Sequence, residues 1–91
     1  MIGHFATSKA GHDKDKCYVI VGEEGDFVYL SDGRLKTLAS PKKKRKKHIQ
    51  LINRMIPEEI INKLPAIGSE GVDAVRDEEI KYQIKQYMKL L

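Results

Sequence analysis

The segment Lys16-Cys17-Tyr18-Val19-Ile20-Val21-Gly22 decides the fold class of this chain. Its β-branched and aromatic residues, with turn-forming residues on both sides, are typical of a β-strand. Because side chains alternate along a strand, the odd-numbered residues from Cys17 to Val21 share one face, and Tyr18 and Ile20 share the other. Both faces are apolar, so we expect this strand to be covered on two sides, inside a small barrel and under another element.

Further short strands are predicted on either side of this segment, over residues 3–7, 27–30, 35–38 and 48–51. Residues 23–26 provide turn chemistry for a hairpin, and Asp32-Gly33 is among the strongest hairpin signals in a sequence. Tyr18, Phe27 and Tyr29 fall within these strands, so we predict core packing for most of them, with stacking on bases as the alternative. Five short antiparallel strands joined by tight turns predict a mainly β fold, a small antiparallel barrel.

After the last predicted strand, the hydrophobic pattern changes to helical spacing. Pro57 suits the first position of a short helix, residues 66–75 are predicted to be a linker, and Asp77 is predicted to cap a second helix. The apolar residues of this second helix form one stripe: Ile80, Ile84, Tyr87, Met88 and Leu91. We therefore expect a barrel over residues 1–54 and a helical extension over residues 55–91, which packs on the barrel or on a partner protein.

Composition and charge indicate a small domain with a basic first part. The chain has 91 residues, 41% of them hydrophobic and 33% charged, and its single cysteine excludes an internal disulfide. This cysteine usage, an N-terminus unlike a signal peptide and the lack of a long apolar span predict a cytoplasmic protein that does not enter membranes. Residues 1–54 carry 12 Lys or Arg against 6 acids, whereas residues 55–91 carry 5 against 7. We therefore expect the first part to bind polyanions and the second part not to do so.

Two features of the first part suit a polyanion. Residues 42–47, Lys-Lys-Lys-Arg-Lys-Lys, form an uninterrupted cationic run, which we predict to cross the surface as a loop between two strands. In the loop over residues 8–14, Gly11 lets the backbone approach a phosphate closely, because it has no side chain and can adopt a positive φ. His12 of the same loop can donate to a phosphate or stack on a base.

In their order along the chain, five motifs resemble those of the KOW-motif RNA-binding proteins. They are Ser8-Lys9-Ala10-Gly11-His12-Asp13-Lys14, Tyr18-Val19-Ile20-Val21-Gly22, Val28-Tyr29-Leu30 with Asp32-Gly33-Arg34-Leu35, Pro41-Lys42-Lys43-Lys44 and His48-Ile49-Gln50. The chain is most similar to small bacterial members, which are themselves similar to KOW-containing proteins of the archaeal and eukaryotic large ribosomal subunit. The resemblance implies an SH3-like β-barrel in which the loop carrying Gly11 approaches RNA.

We therefore expect a non-enzymatic RNA-binding protein that contacts structured RNA, either ribosomal RNA or a ribosomal particle. Charge neutralisation by residues 42–47 and shape recognition by the loop around Gly11 would provide the mechanism, with little base readout. Contacts to about six phosphates would give a slope of about −4 to −5 for log affinity against log salt. The candidate RNA-binding residues are Lys9, Gly11, His12, Lys14, Lys16, Arg34, Lys36, Lys42, Lys43, Lys44, Arg45, Lys46, Lys47 and His48.

Other functions fit fewer features of the sequence. A protein-interaction module is a second hypothesis, because SH3-like barrels serve many binding roles, and it would use the apolar stripe of the second helix. A transcription-associated factor that contacts duplex DNA or polymerase is a third hypothesis. Residues 41–46 also resemble a nuclear-import signal, although the place of the run within the barrel accounts for it without import.

Catalysis and metal binding lack supporting motifs. His4, His12 and His48 show no metal-ligand spacing with each other or with the single cysteine. His12 and Asp13 are neighbours on a tight loop, where a base cannot align with its orienting group, and the sequence contains no nucleophile motif or phosphate loop. We therefore expect neither enzyme activity nor a metal ion or cofactor.

Overall fold

Five antiparallel strands form the sheet that organises this chain. In the computed structural model, which describes residues 1–9, 16–64 and 76–90, they are β1 (His4–Ser8), β2 (Cys17–Glu24), β3 (Phe27–Ser31), β4 (Lys42–Arg45) and β5 (Ile49–Met55). A 3₁₀ turn (Lys46–His48) joins β4 to β5, and two helices follow, α1 (Glu58–Ile61) and α2 (Asp77–Met88). The sheet order is β4-β3-β2-β1-β5, and all neighbours are antiparallel. The predicted mainly β fold with a C-terminal helix is confirmed.

Strand β2 is central because both of its faces are buried. The inner cluster consists of Ala6, Tyr18, Ile20, Val28, Leu30 and Ile49. The helix-side cluster, on the opposite face of the sheet, consists of Phe5, Cys17, Val19, Val21, Leu38, Ile56 and Ile80. The predicted division of the strand into two apolar faces is therefore confirmed. Ile80 belongs to α2, so this helix is the element that covers the second face.

Helix α2 contacts the sheet through its apolar stripe. Ile80 is fully buried, and Ile84 and Tyr87 pack against the helix-side cluster. The ring of Tyr87 stacks on that of Phe5, with 4.6 Å between the ring centroids. Met88, which was predicted to belong to the stripe, remains 46% exposed, and Leu91 lies outside the described residues. The stripe is therefore buried near the N-terminus of α2 and exposed near its C-terminus.

The sheet curls around the inner cluster without closing. Shifts of register in the β2–β3 and β1–β5 pairs bend the strands. The Lys44 side chain of β4 donates a hydrogen bond to the Ser8 hydroxyl of β1, and the Lys9 N–H donates to the His48 carbonyl at 3.0 Å. Within the described residues β4 and β5 are the two edges of the sheet, so the sheet is barrel-like and open between them.

The predicted strand over residues 35–38 is wrong, and the fourth strand is β4. Asp32-Gly33 does not form a hairpin turn, because Asp32 Oδ1 accepts the N–H groups of Arg34 and Lys36 at 2.8 and 2.9 Å and winds the chain into a compact loop. Leu38 then enters the helix-side cluster, so the loop turns towards α2 and does not pair with β3. The cationic run, which was predicted to be a surface loop, supplies the strand that pairs with β3.

Two predicted helix starts are also corrected. Asp77 does not cap α2, because its Oδ1 accepts the Leu38 N–H at 2.8 Å and ties the helix to the loop after β3. Arg76 holds the N-cap position of α2, and Pro57 is the N-cap of α1 instead of its first helical residue. The predicted linker over residues 66–75 lies outside the described residues. None of the helices in the described part of the chain is long and apolar enough to span a bilayer.

Candidate nucleic-acid interface

The cationic run is divided between two faces of the sheet, because four of its residues form a strand. In the β3–β4 pairing, Lys42 and Lys44 lie opposite buried residues of β3, whereas Lys43 and Arg45 lie opposite half-buried aromatic residues. Directly opposed residues of an antiparallel pair point to the same side of the sheet. Lys42 and Lys44 are accordingly half-buried beside the inner cluster, and Lys43 and Arg45 are exposed on the other face.

The two inward lysines contribute to the barrel-like sheet itself. The Lys44 ammonium donates to Ser8 Oγ, and the Ser8 side chain is buried. Burial lowers the pKa of Lys42, and the nearby charge of Lys44 lowers it further. Long lysine stems can cover apolar surface while the ammonium group reaches polar partners. These two cations therefore stabilise the edge of the inner cluster and are poorly placed to bind an external polyanion.

The outward residues form a cation–aromatic patch, which we define as Phe27, Tyr29, Lys43 and Arg45. Lys43 Nζ lies 4.5 Å from the centroid of the Phe27 ring and 5.9 Å from that of the Tyr29 ring. Arg45 Cζ lies 5.4 Å from the Phe27 centroid. Both distances to Phe27 fall within the range of attractive cation–π contacts. The patch therefore offers positive charge and aromatic surface side by side on one sheet face.

A carboxylate borders this patch and orients one of its rings. The Tyr29 hydroxyl donates to Glu24 Oε2 at 2.9 Å, an exposed contact between two residues at the same end of the β2–β3 hairpin. Glu24 fixes the position of the Tyr29 ring, and its charge opposes the approach of an anion from that side. An anion is therefore favoured at the Lys43 and Arg45 side of the patch.

The rest of the cationic run lies in the 3₁₀ turn, where one of the charges is neutralised. Glu23 Oε2 lies 3.0 Å from Lys46 Nζ, and Glu23 Oε1 lies 2.9 Å from the Met1 amino group. The Met1 amino group and then Lys46 hold the pKa of Glu23 below its usual range. Lys47 and His48 are exposed in the same turn. Within the described residues, the cations of the run that are exposed and joined to no carboxylate are Lys43, Arg45 and Lys47.

The other candidate residues of the sequence are placed unevenly. Lys9 is exposed, and its backbone bond to His48 brings the end of β1 beside the 3₁₀ turn. Lys36 is exposed in the loop after β3, whereas Lys16 and Arg34 line a separate cleft against α2. The remaining three candidates, Gly11, His12 and Lys14, lie outside the described residues.

Sequence reasoning favoured core packing for the aromatic half of the patch. Tyr18 is buried as predicted, but Phe27 and Tyr29 are only half-buried on the outer face of β3. The alternation of strand β3 contained the signal, because its residues Val28 and Leu30 are more apolar than Tyr29 and are both fully buried. Tyr29 additionally packs against the helix-side cluster, so its ring is held at the border between the patch and the core.

Neither the protein-family models nor the curated proteins contain a match to this chain. Among residues 1–9, 16–64 and 76–90, no group of three or more His, Cys, Asp or Glu side chains is arranged to hold a metal ion. On the described surface, exposed cations lie beside aromatic rings.

Proposed function

We propose that this chain is a non-enzymatic RNA-binding protein. It binds RNA through the cation–aromatic patch and the adjoining 3₁₀ turn, with the loop around Gly11 as a further contact. The observation that carries the proposal is the outward orientation of Lys43 and Arg45 beside the half-exposed rings of Phe27 and Tyr29. Phosphates interact with the cations, and an unpaired base can stack on an aromatic ring or a guanidinium plane.

Charge and motif order support the same class of ligand. Residues 1–54 carry a formal charge of +6, from 12 basic and 6 acidic residues, which favours a polyanion. The resemblance to KOW-motif proteins supports ribosomal RNA or a ribosomal particle as the target. Since most contacts in such a mechanism go to phosphates, we expect high sensitivity to salt and little preference for base sequence.

Edge protection is the competing explanation of the lysines in β4. This strand is a sheet edge, and lysines on edge strands prevent pairing with other chains. That explanation accounts for charge at the edge, but it does not require aromatic rings beneath the outward cations. It predicts that loss of these charges increases aggregation and leaves RNA affinity unchanged.

The structure reduces the expected number of phosphate contacts from the run. The sequence suggested about six, but only Lys43, Arg45 and Lys47 are exposed and joined to no carboxylate of the described residues. Three contacts to a single strand contribute about −2 to the slope of log affinity against log salt. Between 50 and 200 mM salt this corresponds to a change of about 20-fold in affinity.

The test compares two triple variants that remove equal charge. The patch variant removes the two cations of the patch and Lys47 of the adjoining 3₁₀ turn, as Lys43→Gln, Arg45→Gln and Lys47→Gln. The control is Arg54→Gln, Lys63→Gln and Lys89→Gln, at exposed positions outside the patch and the turn. Fluorescence anisotropy with a single-stranded RNA 12-mer gives affinity at several salt concentrations. We expect the patch variant to lower the magnitude of the slope by about 2 and the control to retain it. A wild-type slope near zero, or equal behaviour of both variants, would refute the proposal.

Phe27→Leu separates stacking from charge in the same assay. We expect about a tenfold loss of affinity for the single strand with the salt slope unchanged, because a ring is lost and no cation is removed. Duplex DNA of equal length tests the transcription-associated alternative, which predicts equal affinity for DNA and RNA. Crosslinking in cells, followed by sequencing of the attached RNA, identifies the target, and a ribosomal target requires reads at ribosomal RNA that the patch variant loses.

A further inference from the structure

A second cationic surface lies between α2 and the loop that follows β3. It is a cleft with basic residues from three parts of the chain, namely Lys16 before β2, Arg34 in the loop, and Lys81 and Lys85 on α2. The C-terminal part has a net charge of −2, from 5 basic and 7 acidic residues, and was expected not to bind polyanions. The fold nevertheless places two of its lysines beside basic residues of the first part.

The charges of Arg34, Lys81 and Lys85 are poorly compensated within the described residues. Lys81 and Lys85 are one helical turn apart, so they lie on the same side of α2 and repel each other. Within the described residues, no ion pair joins either lysine or Arg34 to a carboxylate. Among the described residues, Asp32 is the only acid that lines the cleft, and its Oδ1 already accepts two backbone N–H groups. An anion in the cleft would remove this repulsion.

The two walls of the cleft are held against each other before any ligand arrives. Gly33, at the base of the loop wall, has a φ of +72°, and a Cβ atom at this position would lie 2.2 Å from the Asp77 carbonyl oxygen of α2. The Leu38 N–H donates to the carboxylate of the same aspartate at 2.8 Å. Close backbone approach and this hydrogen bond therefore fix the distance between Arg34 and the helix, which reduces the ordering cost of binding.

The floor and rim of the cleft are apolar. Cys17 and Ile84 line it from the helix-side cluster, and Leu35 lies at its rim with 78% of its surface exposed. Burial raises the pKa of Cys17 to about 11, so the thiol is neutral and contributes apolar surface. A cationic wall beside apolar surface fits a ligand with a charged group and a flat, poorly hydrated group, as a nucleotide has.

We propose that this cleft binds the phosphate of a nucleotide between Arg34, Lys81 and Lys85, with the base against Leu35 and Ile84. The nucleotide is either a unit of a bound RNA strand, in which case the site rests on the proposed function, or a free nucleotide. Arg34 and Lys85 supply charge from opposite walls, so only a ligand that enters the cleft contacts both. An RNA strand and a free nucleotide present the same phosphate and base to the cleft, and binding assays with RNA and with adenosine monophosphate distinguish them.

The experiment uses a cleft variant, Lys81→Gln with Lys85→Gln, and a charge-matched control, Arg54→Gln with Lys63→Gln. All four positions are exposed, and glutamine is a good helix former, so the fold is retained and circular dichroism verifies this. With the single-stranded RNA 12-mer, we expect the cleft variant to lower the magnitude of the salt slope by about 1.4. In parallel, adenosine monophosphate is titrated into the full chain, and amide shifts are followed by NMR.

The outcomes separate the cleft from the proposed function. A smaller slope in the cleft variant alone supports the cleft as a site for an RNA nucleotide. Shifts at Arg34, Lys81 and Lys85 with adenosine monophosphate, in a protein that does not bind the RNA, support a free-nucleotide site and refute the proposed function. A third outcome is that the patch variant weakens RNA binding, the cleft variant binds RNA as its control does, and adenosine monophosphate causes no shifts. This outcome overturns the cleft proposal and leaves the proposed function standing.

Discussion

Replacing Gly33 by alanine tests the contact that docks α2 on the sheet. Gly33 has a φ of +72° and faces helix backbone, with the Asp77 oxygen 2.2 Å and the Lys81 nitrogen 2.9 Å from the position of an added Cβ. Gly25, which turns the β2–β3 hairpin, is the matched control, because its φ is +57° and nothing lies within 4 Å of an added Cβ. The two substitutions share the backbone strain and differ in the steric clash.

The structure gives a separate magnitude for each substitution. Gly25→Ala meets only the left-handed conformation, which costs about 1 kcal/mol of unfolding free energy. Gly33→Ala meets the same cost, and backbone atoms cannot move aside as a flexible side chain can, so the loop and α2 must separate. Exposure of the Ile80 side chain then costs about 1.5–3 kcal/mol, and loss of the Leu38 to Asp77 hydrogen bond costs about 1 kcal/mol. We expect about 3.5–5 kcal/mol in total for Gly33→Ala.

Urea denaturation followed by circular dichroism measures both effects as changes in the free energy of unfolding. A chain of 91 residues has a typical stability of about 5–14 kcal/mol, so Gly33→Ala is expected to lose much of it. Amide exchange should also increase along α2 in this variant and remain unchanged along α2 in Gly25→Ala. Equal destabilisation by the two substitutions, within about 0.5 kcal/mol, would show that α2 is not docked through this contact.

Two further measurements examine the surroundings of the cleft. Lys81→Gln with Lys85→Gln relieves a like-charge pair one turn apart, which stabilises by about 0.2–0.5 kcal/mol, and removes the last-turn cation Lys85, which costs about 0.3–1 kcal/mol of interaction with the helix dipole. The two effects oppose each other, so Tm should change by less than about 4 °C. Calorimetry at low salt measures this, and a larger fall in Tm would contradict repulsion in the cleft. Burial raises the pKa of Cys17 to about 11, so at pH 8 its thiolate fraction, and hence its rate of alkylation by iodoacetamide, should be on the order of 100-fold lower than in the unfolded chain. Equal rates in the folded protein and in urea would contradict burial of this thiol.

The order of strands β1 to β3 could be predicted from the sequence because their determinants are local. Alternation along β2 separates two apolar faces within a few residues, and both faces are buried as that alternation requires. The fourth strand could not be predicted in this way, because lysine has a low strand propensity and its pairing partner is set by tertiary register. Asp32-Gly33 gave a hairpin signal, but the loop at these residues packs against α2. Because α2 lies far along the chain, a local pattern could not reveal this contact.

The sequence could predict which residues supply the positive charge of the candidate interface, but not the face of the sheet to which each of them points. The sequence identified the cationic run, but only the pairing of β4 with β3 separates Lys43 and Arg45 from the two lysines that face the inner cluster. Lys81 and Lys85 were missed for a different reason. Averaging charge over residues 55–91 concealed two lysines that share one side of a helix.

The position of β2 between two clusters has a consequence for how the protein opens. Ile80 of α2 completes the helix-side cluster, whereas the inner cluster contains no residue of the helix. Detachment of α2 therefore leaves one hydrophobic core assembled and uncovers a sheet face that includes Phe5, Val19 and Val21. In this intermediate the amides of β2 would remain the most protected from hydrogen exchange, while an apolar sheet face is exposed to solvent. Self-association through that face would therefore begin from a largely folded molecule.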